Sequence, residues 1–91
     1  MNKGSRFRGA VLKEQGVTFA VVLVRSDVVE GPAGQAEEAR AAFGLLFPGM
    51  PVVLMCRDQG GRASYHGRRD IARFLSTVRE RAINWIDYSV G

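Results

Sequence analysis

The two side chains best suited to covalent chemistry are those of Cys56 and His66, the only cysteine and the only histidine in the chain. A thiolate beside an imidazole can act as a nucleophile. A tight hairpin at this point would pair Cys56 with Tyr65 and Met55 with His66. Because neighbouring residues of a strand point to opposite faces, this register separates the thiol from the imidazole. The sequence therefore favours a packing role for Cys56.

Arginine is the second residue type that could bind a ligand. Four arginines and the histidine surround the second predicted hairpin and the start of the helix after it: Arg57, Arg62, His66, Arg68 and Arg69. Guanidinium groups bind carboxylates and phosphates through paired hydrogen bonds, and a helix N-terminus adds further donors. These residues form the predicted anion-binding set. The alternative is that the arginines are solvated and pair with Asp58 and Asp70.

The N-terminal stretch is basic, since Lys3, Arg6, Arg8 and Lys13 precede the first acidic residue. Together with the net charge of +4, this favours contact with nucleic-acid phosphates, and Lys3, Arg6 and Arg8 join the predicted binding residues. No helix-turn-helix, zinc-finger or RNA-binding aromatic motif accompanies them. A nucleic acid and another anionic ligand both stay open as partners.

Other functional classes find no support in the sequence. One cysteine and one histidine supply neither a zinc site built from these ligands nor an internal disulfide. No cofactor motif occurs, so no cofactor is expected. The longest apolar run, Val17 to Val24, is too short to span a membrane, and the N-terminus lacks the apolar segment of a signal peptide. We therefore expect a cytoplasmic protein without a membrane partner.

The first half of the chain predicts two strands and a helix. Residues 6–13 alternate as an edge strand does, and a glycine turn leads to residues 17–25, whose continuous apolar run indicates a central strand. Residues 26–34 are predicted to be a loop. From Gln35 onward, apolar residues recur every three or four positions, which predicts an amphipathic helix that ends before Phe47.

The second half repeats this order. Residues 52–57 form an apolar run typical of a buried strand, and residues 62–67 alternate as an edge strand does. A helix that opens at Arg68 is then predicted from an apolar stripe of Ile71, Phe74, Leu75 and Val78. The tail, residues 82–91, is rich in large apolar side chains, so it is expected to pack on the domain or on a partner.

These elements predict a single domain over residues 1–91, with a basic arm at residues 1–5. Its fold class would be α/β (α+β), a two-layer ββαββα sandwich with a four-stranded mixed sheet in the order 1-2-3-4 and a parallel central pair. If both helices lay on one face, the other would expose apolar side chains. We therefore expect a homodimer formed through that face or through an edge strand, with coverage by the tail as the alternative.

Residues 49–80 resemble the last third of thioredoxin-fold proteins. The resemblance is carried by Gly49-Met50-Pro51 before a strand, the glycine hairpin, Gly67 and the final amphipathic helix. It implies a truncated thioredoxin-like fold as an alternative and a cis peptide bond at Pro51. The chain has no Cys-x-x-Cys motif and lacks one strand–helix unit of that fold, so the resemblance does not imply redox activity.

The sequence as a whole predicts a small protein without enzymatic activity that acts as a homodimeric interaction or assembly module. The alternative is a nucleic-acid-binding or other anion-binding protein that uses the arginine cluster. A thiol-dependent enzyme with Cys56 as nucleophile is the third hypothesis.

Overall fold

Five strands and three helices make up the part of the chain that the computed structural model describes, residues 5–14, 16–31, 34–78 and 82–90. The strands are β1 (Ser5–Glu14), β2 (Val17–Leu23), β3 (Val52–Arg57), β4 (Ala63–His66) and β5 (Ile86–Val90). The helices are α1 (Ser26–Glu30), α2 (Gln35–Gly44) and α3 (Arg69–Leu75). The chain is thus a small α+β domain built on one mixed sheet.

The sheet has the order β4-β3-β2-β1-β5. β2 and β3 are parallel, as predicted, because α1 and α2 carry the chain back between them; the other neighbours are antiparallel. The predicted four-stranded sheet was incomplete, since residues of the tail form β5. This strand pairs with β1, with Ser5 opposite Val90 at one end and Gly9 opposite Ile86 at the other. β1 is therefore an interior strand and not the predicted edge. The ring of Tyr88 in β5 stacks on that of Phe7 in β1, with centroids 5.0 Å apart.

Helices cover both faces of the sheet. On one face a buried cluster joins the sheet to α3 and the segment after it: Ala10, Phe19, Val21, Val53, Met55, Ile71, Leu75 and Ile83. On the other face α1 and α2 pack over a second cluster: Ala20, Val22, Phe47, Val52 and Leu54. The predicted two-layer sandwich is therefore wrong. Strands as apolar as β2 and β3 present side chains to both faces, and each face needs a cover.

The coverage removes the premise of a dimer formed through a bare sheet face. In β2 the residues from Phe19 to Val22 are at most 1% exposed, and in β3 those from Val53 to Cys56 are equally buried. Within the described residues, the centre of the sheet thus offers no apolar surface to a second copy.

Helix α1 occupies part of the segment predicted to be a loop. Its five residues are too few to show helical periodicity in the sequence. Val28 and Val29 pack against the second cluster, and their burial accounts for ordered structure at this position. Of the predicted stripe of the last helix, Ile71 and Leu75 are buried and Phe74 packs against the first cluster; α3 ends at Leu75, so Val78 contacts the same cluster from the turn after the helix.

The hairpin between β3 and β4 differs from the predicted register by one residue. Cys56 pairs with Ser64, and Met55 pairs with Tyr65. The connection is a five-residue turn in which the Asp58 side chain accepts hydrogen bonds from the backbone N–H groups of Gly60 and Arg62, both at 2.9 Å. Asp58 thereby centres the turn on Gly60, whereas the two-residue glycine turn expected from the sequence centres between Gly60 and Gly61.

The expectation of a cis bond at Pro51 is also wrong, because the described residues contain no cis peptide bond. Among the same residues, no helix combines the length and apolar character needed to cross a membrane.

Candidate anion-binding cleft

Three arginines lie at one level across the carboxyl-terminal edge of β2 and β3. The sheet pairs Leu23 with Arg8 of β1 on one side and with Met55 of β3 on the other. Arg25 lies two residues beyond the end of β2, and continuing this register places it between Arg6 and Arg57; all three line one cleft. Since neighbouring strands are about 4.8 Å apart, the three side chains start within roughly 10 Å of one another. The strand register therefore builds a short cationic row from three separate parts of the sequence.

This row borders an open cleft of about 560 Å³. Its apolar wall comes from β1, the end of β2 and the two crossover helices: Phe7, Leu23, Val24, Val28, Ala39 and Phe43. Phe7 holds the position of Phe43 through an edge-to-face contact with centroids 5.0 Å apart. The three arginines thus border a cleft with an apolar wall, and alternation along β1 and β3 starts Arg6 and Arg57 from the face of the first cluster, so they reach the cleft around the end of the sheet. In open α/β sheets, ligands characteristically bind beyond the carboxyl ends of the parallel strands.

The three arginines differ in their surroundings. Arg25 forms a two-pronged ion pair with Asp27, in which Nε–H donates to Oδ1 at 3.1 Å and Nη2–H donates to Oδ2 at 2.7 Å. These hydrogen bonds hold the pKa of the Asp27 carboxyl below its usual value. Arg6 has no ion pair or side-chain hydrogen bond among the described residues. The row therefore contains both a paired and an unpaired guanidinium.

The charge of Arg57 acts on the phenol of Tyr65. Burial raises the pKa of Tyr65, and the positive charge of Arg57 opposes this rise. Arg57 also borders the cleft, so the positive charge of one residue of the cationic row reaches Tyr65 in β4.

A second open cleft of about 460 Å³ adjoins the first along β1 and β5, and both are lined by Arg6 and Phe7. Arg8 lies here, but its Nε–H donates to Asp87 Oδ1 at 3.0 Å across the strand pair. Arg6 therefore borders both clefts. Arg8 lies two residues further into β1 than Arg6, outside the cationic row, and Asp87 partly neutralises its charge.

The remaining predicted residues do not join the row. Arg62 ends the β3–β4 turn at the same end of the sheet but does not line the cleft, whereas β4 runs back and places Arg68 and Arg69 at the opposite end. Arg68 pairs with Asp70 at 2.9 and 2.7 Å, as the alternative interpretation expected. Helix α3 has only seven residues, so its N-terminus is a weak anion site. Lys3 lies outside the described residues.

Cys56 and His66 lie on the same face of the sheet, contrary to the prediction. The shifted register places Cys56 opposite Ser64, and the Ser64 hydroxyl is 3.4 Å from His66 Nε2. Cys56 is 1% exposed, and His66 is half-buried. The residue types of a nucleophile and a base thus share one face of the sheet, but the thiol is shielded from solvent.

Comparison with families of proteins, with curated proteins and with solved structures finds no match for this chain. Arg25 is the arginine of the cleft that the sequence did not indicate, because its place beside Arg6 and Arg57 depends on the register across β1, β2 and β3. Its position directly after a buried strand was the signal available in the sequence.

Proposed function

We propose that the protein is a small binding module without enzymatic activity, and that its cleft holds an organic anion with an apolar body. The observation that carries the proposal is the cationic row of Arg6, Arg25 and Arg57 at the rim of an apolar cleft. A guanidinium binds an acidic group through charge-assisted hydrogen bonds, and the wall beneath it would bury the rest of the ligand. A fatty or aromatic carboxylate has this chemistry.

The short row favours a small ligand over a nucleic acid. It spans roughly 10 Å, which is enough for one or two acidic groups, whereas a nucleic-acid strand needs a longer cationic track. Arg68 and Arg69 lie at the other end of the sheet and do not extend the row. One acidic side chain, that of Asp87, also borders the second cleft. Nucleic-acid binding is therefore the weaker of the two anion-binding hypotheses.

We expect octanoate to bind with a dissociation constant on the order of 1 mM, given the binding energy that a ligand of this size reaches. Titration calorimetry with butanoate, hexanoate and octanoate would show affinity rising by up to about fourfold for each added CH₂ that is buried. Octanamide, a neutral control of the same shape, should bind at least about tenfold more weakly because it lacks the charge.

A single-stranded oligonucleotide completes this experiment. Tight, steeply salt-dependent binding of the oligonucleotide without binding of octanoate would contradict the proposal and favour a nucleic-acid partner. Equal affinities for octanoate and octanamide would remove the role assigned to the arginines.

Self-association is the second candidate function, and one observation favours it. The large apolar side chains that are exposed among the described residues are Val11, Leu45, Leu46 and Ile86. Val11 and Ile86 share one face of β1 and β5, beside the open edge that β5 leaves for a further strand. A second copy pairing edge to edge would cover this region.

Light scattering on the eluting protein tests for the dimer. Self-association predicts twice the chain mass of 10.0 kDa, and the Ile86→Lys variant should elute as a single chain. Leu45→Lys, a control at the end of α2, separates a strand-edge contact from a helix contact. Single-chain mass at high protein concentration would rule out this candidate.

We also propose a cytoplasmic location. A chain with one cysteine cannot form an internal disulfide, and proteins of the reducing cytoplasm are typically stable without disulfides. A thiol-dependent activity is the third hypothesis and has the least support, because Cys56 is buried. Alkylation of Cys56 faster than that of free cysteine would revive it.

A further inference from the structure

Two ion pairs with the same geometry span the starts of two short helices at opposite ends of the sheet. Arg25 and Asp27 flank the start of α1, and Arg68 and Asp70 flank the start of α3. In each pair the arginine Nη2 lies 2.7 Å from the carboxylate Oδ2, and both oxygens of the carboxylate are engaged. The two ion pairs differ in location, since Arg25 borders the apolar cleft and Arg68 does not.

We infer that Asp27 is an internal competitor for the ligand, and that the acidic group of the ligand replaces its carboxylate on Arg25. The inference rests on the proposed function of the cleft. Asp27 already displays the chemistry that Arg25 accepts, which is a planar carboxylate facing two N–H donors. The ligand class that fits this exchange is an organic carboxylate.

The exchange is feasible because the ion pair is exposed. The side chains of Arg25 and Asp27 are 84% and 59% exposed, so water screens their attraction and replaces their hydrogen bonds when they separate. Arg25 can therefore turn toward the cleft without leaving a buried charge unpaired. Asp27 itself does not line the cleft, so removing its carboxylate leaves the apolar wall unchanged.

The competition predicts tighter binding when Asp27 loses its charge. Asp27→Asn keeps the size of the side chain and a polar group in the first turn of α1, and octanoate should bind to it roughly two- to fivefold more tightly than to the wild type, given the modest strength of exposed ion pairs. Asp70→Asn removes the matched ion pair at the far end of the sheet and changes net charge equally, so its affinity should stay within the error of the wild-type value. Titration calorimetry provides both numbers.

Each outcome decides a different point. Unchanged or weaker binding by Asp27→Asn, with normal binding by the wild type, would overturn the competition and leave the proposed function standing. Equal gains for Asp27→Asn and Asp70→Asn would also overturn it, because net charge would then explain the effect. Absence of octanoate binding by the wild type would overturn both the proposed function and the competition.

A second readout covers the case in which Asp27→Asn fails to fold. In the wild-type protein, saturating octanoate should shift the NMR signal of the Arg25 Nε–H group, because its acceptor changes from Asp27 to the ligand. The Nε–H signal of Arg68 should not move. A static Arg25 signal under conditions in which octanoate binds would contradict the exchange.

Discussion

Replacing Arg6 and Arg57 together by alanine is expected to weaken octanoate binding roughly a hundredfold, so that titration calorimetry detects binding to the wild type and no heat of binding to the double variant. Each arginine would contribute a charge-assisted hydrogen bond worth about 1.5 kcal/mol or more, and each loss therefore costs about a factor of ten. Both residues border the cleft, and Arg6 has no competing ion pair among the described residues. Titration calorimetry of the double variant and the wild type gives the comparison.

The matched control is the double variant Arg68→Ala and Arg69→Ala. It also removes two positive charges, but from the opposite end of the sheet. The octanoate affinity should therefore change by less than about a factor of two, as expected for screened, distant charges. Similar losses in the two double variants would mean that net charge draws the anion to the protein. The cationic row would then have no specific role.

The Leu75→Ala variant is expected to lose about 2–5 kcal/mol of the free energy of unfolding. Leu75 is 0% exposed and lies in the cluster that joins α3 to Phe19, Val21 and Met55. Its truncation removes apolar contacts and leaves a cavity that the closely packed strands can fill only in part. Because small domains have a total stability of about 5–15 kcal/mol, urea denaturation would show a large shift of the midpoint.

Leu45→Ala is the control for this measurement. Leu45 is 83% exposed at the end of α2, so the same change in chemistry should alter stability by no more than about 0.5 kcal/mol. If Leu75→Ala were as mild as Leu45→Ala, α3 would not be packed against the sheet. The arrangement of helices on both faces would then be wrong.

The elements with strong periodic patterns were predictable from the sequence. The apolar runs of β2 and β3 indicated central strands, and the spacing of Ile71 and Leu75 indicated the last helix. These patterns report which residues are buried, and burial dominates the stability of such elements. The neighbours among the first four strands also followed, since hairpins and a crossover helix restrict the order.

The elements that depend on distant contacts were not predictable. Ile86–Val90 forms β5 by pairing with the otherwise unpaired side of β1. The stacking of Tyr88 on Phe7 adds a contact between residues from the two ends of the chain. α1 is too short to show a period. The hairpin register depends on two hydrogen bonds to the side chain of Asp58, which a glycine pair in the sequence does not reveal.

The candidate site was predictable only in part. Arg6 and Arg57 were named from the sequence, but as members of two separate sets. Their union with Arg25 follows from the register across β1, β2 and β3, which no local pattern encodes. The sequence was sufficient to separate Arg68 and Arg69 from Arg57. A returning strand of four residues carries the chain roughly 13 Å away from the turn.

An amide ¹⁵N–¹H NMR titration of the full chain with octanoate tests most directly whether the cleft binds an organic anion. Binding there should shift signals at the cationic row and the apolar wall, at Val24, Ser26, Val28 and Arg57, and leave those of α3 unchanged. Shifts concentrated at Arg68 and Arg69, or spread evenly over the basic residues, would contradict a specific site at the carboxyl ends of β2 and β3.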